Sequence, residues 1–200
     1  MKRIAYTFLL FLALSPASGF AQGRFMWGIT GGVNIGYRYE IPDPSFSSNE
    51  PSYRSGWAPG LHGGIEFGYY NWNAICVTIE LEYNQRNYYD NGYRSDQGFL
   101  EIPVLLKVPI LGKESRLYVL AGTNFGTDGE AFDIGIAAGV GFSAPFSSRT
   151  DVYIQTEYVY GFNELVHPVY TYDLAIGAKP YTPYTNYSRE IRLQLGILFH

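Results

Sequence analysis

Two glutamates one residue apart, Glu80 and Glu82, lie in the stretch ICVTIELEYN, which runs from Ile75 to Asn84. Side chains alternate across a β-strand, so the pattern predicts a strand with both carboxylates on one face and apolar side chains on the other. Neighbouring carboxylates can pair with basic groups, be hydrated or line a path for cations. The chemistry therefore depends on which face meets water, and the surrounding elements decide that.

The same alternation of apolar and polar residues recurs along most of the chain. Glycine and tyrosine are frequent, with 23 and 19 residues, and no convincing helical stripe is found beyond the N-terminal segment. An all-β protein is therefore predicted. Its eight strands are expected at approximately Phe25–Arg38, Gly56–Tyr70, Ala74–Asn87, Gly98–Val108, Arg116–Gly126, Asp133–Phe146, Asp151–Phe162 and Tyr187–His200.

The connections between the predicted strands alternate in length. The short ones are NWN, PILGKES and SSRT; the long ones are YEIPDPSFSSNEPSYRS, YYDNGYRSDQ and NELVHPVYTYDLAIGAKPYTPYTN, and TDGEAF is intermediate. Short periplasmic turns and longer external loops are typical of transmembrane β-barrels, whose strands need about 9–11 residues to cross the bilayer. We predict a closed antiparallel eight-stranded transmembrane up-and-down β-barrel in the bacterial outer membrane.

Aromatic residues near the strand ends indicate which face meets lipid. A soluble barrel or sandwich would also alternate, but its apolar face would point inward. Here the polar face is crowded with glycine and charge, which suits an interior better than an outer surface. Aromatic girdles at the membrane interfaces are expected of such barrels. We predict that these girdles include Trp27, Tyr37, Trp57, Tyr69, Tyr158, Tyr160, Phe162 and Phe199.

The polar face then lines the interior of the barrel. Eight strands leave an interior just wide enough for side chains to fill, and buried charges must pair, hydrate or be neutralised. A hydrated network of ion pairs that fills the lumen is the main interpretation. The excess of glutamates leaves a cation-preferring path as the alternative. The predicted lumen charge network comprises Glu66, Glu80, Glu82, Glu101, Lys107, Arg116, Glu157 and Arg192.

Catalytic and metal chemistry are not indicated. The three histidines are dispersed: His62 points inward, His167 lies in a long loop and His200 is the last residue. They form no outward-facing Ser–His–acid set and show no metal-ligand spacing with Cys76. We predict no catalytic residues, no metal site and no cofactor, and the protein is expected not to be an enzyme.

The N-terminal segment is typical of a secretory signal peptide. A basic start, MKR, precedes the apolar run IAYTFLLFLAL and the small-residue segment SPASGFAQG, and cleavage is expected after Ala21. This predicts a signal peptide over 1–21 and a barrel domain over 22–200. Removing Lys2 and Arg3 changes the formal net charge from −4 to −6, and this acidic balance argues against nucleic-acid binding.

The expected partners follow from this architecture. They are outer-membrane lipid, the barrel-assembly machinery during insertion, and a protein or glycan ligand at the external loops, the last of which is rich in tyrosine, proline and threonine. Outer-membrane barrels commonly end in an aromatic residue that the assembly machinery recognises; here Phe199 precedes the final His200. The predicted role is structural or surface-binding through these loops.

Several segments resemble the PorT-like outer-membrane β-barrel proteins of the Bacteroidota. FLEIPVLLKV, from Phe99 to Val108, is similar to that family's Leu-Glu-Ile-Pro strand. GITGGVNIGY, RLYVLAGTNFG, DIGIAAGVGFSAPF and DVYIQTEYVYGFNEL resemble its other strands. The resemblance implies an eight-stranded barrel like OmpA and OmpX, with Glu101 pointing inward and a strand irregularity at Pro103, for which we predict a β-bulge. Some members are linked to type IX secretion, so an accessory role in secretion machinery is a further alternative.

Overall fold

Eight antiparallel strands form a closed barrel in the computed structural model, which describes residues 23–42, 55–71, 73–90, 93–111, 115–129, 132–162 and 184–200. Each strand pairs with the next in the chain, and β8 closes the ring by pairing with β1. The predicted fold class is confirmed. The strands are β1 Arg24–Pro42, β2 Ser55–Tyr70, β3 Cys76–Asp90, β4 Tyr93–Leu111, β5 Arg116–Thr127, β6 Phe132–Ser147, β7 Thr150–Gly161 and β8 Tyr184–Phe199.

The predicted strands overlap the observed ones, but one predicted loop is largely strand. β3 and β4 continue until Asp90 faces Tyr93, so YYDNGYRSDQ is not a long loop. The intervening dipeptide is Asn-Gly, a sequence typical of two-residue hairpin turns, and that signal explains the longer pairing. Most of the first and last predicted long loops, 43–54 and 163–183, lies outside the described residues.

Apolar side chains cover the outer surface of the barrel. Leu61 is 61% exposed and Ile79 51%, whereas the side chains that alternate with them point into a filled interior. The apolar stripes therefore face outward, as expected for strands that contact lipid. No α-helix in the described part of the chain combines the length and apolar character needed to cross a membrane.

Three register shifts in the described ladders each lie at or around a proline. Shifts occur between Trp57 and His62, between Pro109 and Leu111, and between Pro145 and Ser147, and Pro59 lies inside the first of these intervals. Proline has no N–H to donate to a ladder, so an irregularity accommodates it inside a closed sheet that has no edge.

The predicted bulge at Pro103 is wrong. On the β3 side, Ile79 faces Val104 and Glu82 faces Glu101 in one unchanged register, and on the β5 side Pro103 faces Asn124. Pairing with β3 is interrupted across the two intervening residues, but no extra residue is inserted. The strand tolerates this proline by losing a ladder hydrogen bond instead of bulging.

The two ends of the barrel differ. At the short-turn end, where β1 begins and β8 ends, the connections between β2 and β3, β4 and β5, and β6 and β7 are short. At the far end, β1 and β8 stay paired up to Pro42 opposite Tyr184, beyond Gly161, where β7 ends. The far end therefore has a raised wall on one side.

Candidate functional site: the charged lumen

Parity along the strands places all eight predicted charged residues on the interior face. Seven are at most 3% exposed, and the eighth, Arg116, has a side chain that is 14% exposed. The structure distributes them over three levels and does not join them in a single pocket. The seven most buried residues are Glu66, Glu80, Glu82, Glu101, Lys107, Glu157 and Arg192.

Arg192 occupies the centre of the upper level. Its guanidinium lies 2.5 Å from Glu101, 3.0 Å from Glu190 and 3.3 Å from Glu82, measured between nitrogen and carboxylate oxygen. Glu101 is on β4, which lies diametrically across the eight-stranded ring from β8. The planar guanidinium can donate several hydrogen bonds at once, so one side chain links opposite walls.

Arg86, which is not among the predicted lumen charges, completes this level. Its Nε donates to Glu101 at 2.7 Å, its Nη1 donates to Asp133 on β6, and its guanidinium lies 4.4 Å from the centre of the Phe99 ring. Asn84 donates to Glu101 at 2.9 Å. We call this set the Arg192 cluster: Arg86, Arg192, Glu82, Glu101, Glu190 and Asp133.

The sequence does contain a signal for Arg86 and Glu190, which the predicted lumen charge network omits. Arg86 shares the strand face of Glu82, and Glu190 shares that of Arg192, inside segments already predicted as strands. Following every second residue for one or two further steps toward the far end identifies both side chains as inward-facing. Asp133, near the start of the predicted sixth strand, lies on the inward face by the same parity.

Lys107 forms a separate cluster nearer the short-turn end. Its ammonium lies 2.5 Å from Glu66 and 3.9 Å from Glu80. Tyr153 donates to Glu66 at 2.5 Å, and Tyr70 also donates to this carboxylate. The ammonium is also 4.9 Å from the Tyr153 ring centre, with Tyr70 and Tyr118 at 6.0 and 5.9 Å. The Lys107 cluster is Lys107, Glu66, Glu80, Tyr70, Tyr118 and Tyr153.

Neutral amides extend the Lys107 cluster to Glu157. Gln194 donates to Glu80 at 2.8 Å, and Gln155 donates to Glu157 at 2.6 Å while accepting from Tyr118 at 2.8 Å. Gln155 and Gln194 also bond to each other at 3.2 Å. Glu157 thus joins the network through an amide, although it faces Arg192 in the β7–β8 register.

Arg116 belongs to the short-turn end rather than to either cluster. It pairs with Asp151 at 3.2 Å, and His200 lies 3.7 Å from the same carboxylate. Arg24 in turn donates to His200 at 2.7 Å. These contacts tie the first and last strands to β5 and β7 where the barrel begins.

The predicted girdle aromatics lie in two groups on the outer surface. At the short-turn end, Trp27 packs against Phe199 with ring centres 4.7 Å apart, and Tyr69 packs against Phe25 at 5.4 Å. Toward the far end, the structure places two further ring pairs and Tyr158, which is 43% exposed. Those pairs are Tyr37 with Trp57 at 5.2 Å and Tyr160 with Phe162 at 5.1 Å.

Comparison with known proteins agrees with this architecture. A family model described as an outer membrane protein beta-barrel domain matches residues 20–131, which is more than half of the chain. The chain belongs to this family. As an outer-membrane barrel it is placed in the bacterial outer membrane, with its apolar surface in contact with lipid.

Two solved outer-membrane barrels share the fold. Neisserial surface protein A is 15% identical over 86% of this chain and 96% of its own, with a TM-score of 0.50. OprG from Pseudomonas aeruginosa is 12% identical over 88% of this chain and 96% of its own, with a TM-score of 0.51. The comparison with curated proteins finds no match. At these identities the likeness shows the fold alone.

The interior of this outer-membrane barrel is acidic. Its described inward-facing residues include eight carboxylates and four basic side chains. Two carboxylate pairs face each other directly across neighbouring strands: Glu66 opposite Glu80, and Glu82 opposite Glu101. Like charges at such positions repel, so each pair depends on the lysine or arginine that reaches it.

His62 and Cys76 do not provide a second candidate site in the lumen. His62 is buried with its Nδ1 3.7 Å from Glu82, and Cys76 is fully buried among apolar side chains near the short-turn end. Within the ranges that the structure describes, histidine, cysteine and carboxylate groups do not assemble into a constellation suited to a metal ion.

Inward-facing glycines make room for the tyrosines of the Lys107 cluster. A Cβ at Gly196 would lie 2.3 Å from the ring of Tyr153, and one at Gly141 would lie 2.3 Å from that of Tyr118. The rings therefore lie flat over these glycines, which brings the Tyr153 hydroxyl to Glu66. Small wall residues and large core residues are thus matched in this narrow interior.

Gly196→Ala is expected to lower the free energy of unfolding by about 1–3 kcal/mol, because the new methyl group displaces the Tyr153 ring from Glu66. Urea titration of the refolded protein in lipid vesicles measures the change. Combining it with Tyr153→Ala should remove most of the extra cost, since the clashing ring is then absent. Simple additivity of the two substitutions would contradict this packing explanation.

Proposed function

We propose that this outer-membrane barrel serves a structural or surface-binding role and that its lumen is closed to solutes. The observation that carries the proposal is the set of buried side chains that reach across the interior. Arg192 on β8 reaches Glu101 on β4, and Arg86 on β3 reaches Asp133 on β6. At a lower level, Tyr153 on β7 bonds to Glu66 on β2. A path for ions would have to separate these partners.

Conductance across planar bilayers tests this proposal. The refolded wild-type protein is expected to give no stable single-channel current in about 1 M salt. At this concentration the Debye length is about one third of its value at 0.1 M. Lys107→Ala shortens the side chain that fills the short-turn half, and Arg94→Ala removes an exposed charge that pairs only with Asp96 among its described contacts. Steady currents through the wild-type protein would overturn the proposal of a closed lumen. The Arg94 variant controls for differences in the preparation of the membranes.

A narrow cation-preferring pore is the second candidate, favoured by the twofold excess of interior carboxylates over basic groups. In that case the wild-type protein conducts and prefers cations to anions. Glu80→Gln and Glu82→Gln should then reduce the cation preference, because each removes a negative charge from the lumen wall. Currents without charge preference, or unaltered by both substitutions, would count against this candidate.

Surface binding is assigned to the far end. Exposed aromatic residues lie there on β2, where Trp57 is 46% exposed, and on the long β3–β4 hairpin, where Tyr89 is 39% exposed. Tyrosine and tryptophan supply large contact areas at low entropic cost, which suits a protein or glycan ligand. Binding of purified glycans or envelope proteins to the barrel in lipid nanodiscs, compared with a Trp57→Ala/Tyr89→Ala variant, tests the assignment.

We propose a PorT-like barrel of a bacterium of the Bacteroidota, supported by FLEIPVLLKV and the related strands. Export by a signal peptide cleaved after Ala21 is supported by the segment's composition, and the intact mass of the membrane protein tests the cleavage. Outer-membrane lipid and the barrel-assembly machinery are the proposed partners. Co-purification of secretion components from native membranes would favour the accessory role instead.

The proposed role is non-catalytic. His62 is enclosed in the lumen beside Glu82, and its side chain is fully buried, so a lipid substrate at the outer surface does not reach it. Incubating the purified barrel with phospholipid and looking for released fatty acid is a direct test. Release that is lost in a His62→Ala variant would overturn the assignment.

A further inference from the structure

An exposed arginine lies on the outer surface of the barrel toward its far end. Arg189 is on β8, where Glu190 and Arg192 point into the lumen, so the alternation along the strand turns Arg189 outward. The residue is exposed, and the register places it opposite Tyr37 on β1 and opposite Tyr160 on β7. Arg189 therefore has an aromatic residue beside it on each neighbouring strand.

The height of Arg189 in the bilayer follows from strand geometry. On β8 it lies ten residues before Phe199, and on β1 its partner Tyr37 lies ten residues after Trp27, which faces Phe199. At about 3.3 Å per residue and a tilt of about 40°, ten residues rise by about 25 Å. The apolar band of an outer-membrane barrel is about 25 Å tall. Because Trp27 and Phe199 lie at one boundary of this band, Arg189 lies at the other.

The guanidinium of Arg189 contacts an aromatic ring and not a carboxylate. It lies 5.7 Å from the centre of the Tyr160 ring, which packs edge-on against Phe162 at 5.1 Å. Within the described part of the chain, Arg189 takes part in no ion pair. By contrast, the exposed Arg94 lies 2.6 Å from Asp96. Contact with the face of a ring leaves the N–H donors at the edge of the Arg189 guanidinium available to an anion.

We propose that Arg189 binds the phosphate of a lipid in the external leaflet of the outer membrane. Short turns of outer-membrane barrels face the periplasm, so the boundary at the far end of the apolar band meets the external leaflet. A guanidinium group binds phosphate oxygens through paired hydrogen bonds. Tyr37 and Tyr160 suit the same level, because tyrosine is enriched where lipid headgroups meet the hydrocarbon. The charge, its height and its aromatic neighbours thus fit one ligand.

The surface below Arg189 indicates a lipid and not a free anion. Ile191, the next outward residue of β8 toward the middle of the bilayer, is 47% exposed, and it faces Tyr158 on β7, which is 43% exposed. The acyl chains of a lipid whose phosphate is bound at Arg189 lie along these side chains. The inference rests on the proposed contact with outer-membrane lipid, and it does not depend on whether the lumen conducts ions.

Native mass spectrometry of the full barrel, released from detergent with added lipid, tests the site. Dioleoyl phosphatidate and dioleoylglycerol have the same acyl chains and differ by the phosphate, so the difference in their occupancy measures headgroup recognition. We expect the wild-type protein to retain phosphatidate at least about fivefold better than dioleoylglycerol, which corresponds to about 1 kcal/mol. Arg189→Gln should remove most of this preference, whereas Arg189→Lys keeps the charge and should retain part of it.

Two variants serve as matched controls. Arg94→Gln removes an exposed arginine that is already paired with Asp96, and Arg149→Gln removes an exposed arginine from the turn between β6 and β7, at the short-turn end. Both should retain phosphatidate as the wild type does. A large excess of inorganic phosphate should not displace the lipid, since it makes no apolar contact. All these substitutions replace exposed side chains, and heat-dependent gel migration should show that the barrels are closed.

Three results would overturn the proposal. Equal retention of phosphatidate and dioleoylglycerol by the wild-type protein would show that the phosphate is not recognised. A preference that persists in Arg189→Gln, or that falls equally in the two controls, would place recognition elsewhere on the barrel. Displacement of phosphatidate by inorganic phosphate would indicate a site for free anions instead of lipid. The closed lumen is tested separately by conductance, so a failure of the lipid site is distinguishable from a failure of the proposed function.

Discussion

Replacing Arg192 by glutamine is expected to destabilise the barrel by about 3–5 kcal/mol. The residue is 1% exposed and lies within 3.3 Å of Glu82, Glu101 and Glu190. Removing its charge leaves these buried carboxylates with only Arg86 as a basic partner in the cluster, and an uncompensated buried charge is costly. Urea titration in lipid vesicles measures the loss, and heat-dependent gel migration reports whether the barrel still closes.

Two comparisons isolate the cause. Arg94→Gln breaks an ion pair whose side chains are 43% and 54% exposed, and such a pair contributes only about 0–1 kcal/mol. Adding Glu101→Gln to Arg192→Gln should recover part of the stability, because one of the unpaired carboxylates is removed. If Arg192→Gln costs no more than Arg94→Gln, the cluster is not an interdependent set of buried charges.

Introducing arginine on the outer face at Val140 is expected to cost about 2–4 kcal/mol in a bilayer. Val140 is 49% exposed in the middle of β6, between Val119 on β5 and Thr156 on β7. The hydroxyl of Thr156 donates to the backbone carbonyl of Arg192, and the other neighbours on the outer face, Val119, Ala138 and Phe142, are apolar, so a charge here must leave water for hydrocarbon. The free energy of unfolding should be measured in vesicles, since a detergent micelle adapts around a charge more easily.

The cost of an introduced arginine should depend on where it lies relative to the bilayer. Ser148→Arg places the same side chain in the exposed turn between β6 and β7, where the cost should fall to about 0–1 kcal/mol. Equal destabilisation at both positions would show that the β6 face does not contact the hydrocarbon core. An effect confined to Val140 supports the assignment of the apolar face to lipid.

The two halves of the interior stabilise the barrel by different means. The Arg192 cluster joins distant strands by charge-assisted hydrogen bonds, whereas the Lys107 cluster surrounds one ammonium with two glutamates and three tyrosine rings. Desolvation makes each charge expensive, but each also receives several directed partners, which is the condition under which buried ion pairs persist. A charged lumen is therefore compatible with a closed one.

Proline positions show where sequence rules were incomplete. Proline inside a strand suggested a bulge at Pro103, yet the register shifts fall around Pro59, Pro109 and Pro145. The rule identifies a missing N–H but not how the neighbouring strand responds. At Pro103 the pairing with β5 is unbroken, and the pairing with β3 resumes in the same register after its interruption, so losing a bond disturbs the sheet less than inserting a residue.

Alternation determined the strand number and which residues share a face, because a two-residue period assigns every side chain to one of two faces. The aromatic residues at the strand ends, and the glycine and charge on the polar face, indicated that residues such as Glu80 and Arg192 point inward. The partners were decided only by the closed barrel. Strand register and curvature bring Arg192 to Glu101 on the opposite wall and Arg86 to Asp133. Parity specifies the direction of a side chain but neither its height nor its distance from a partner across the lumen, so these contacts required the tertiary structure.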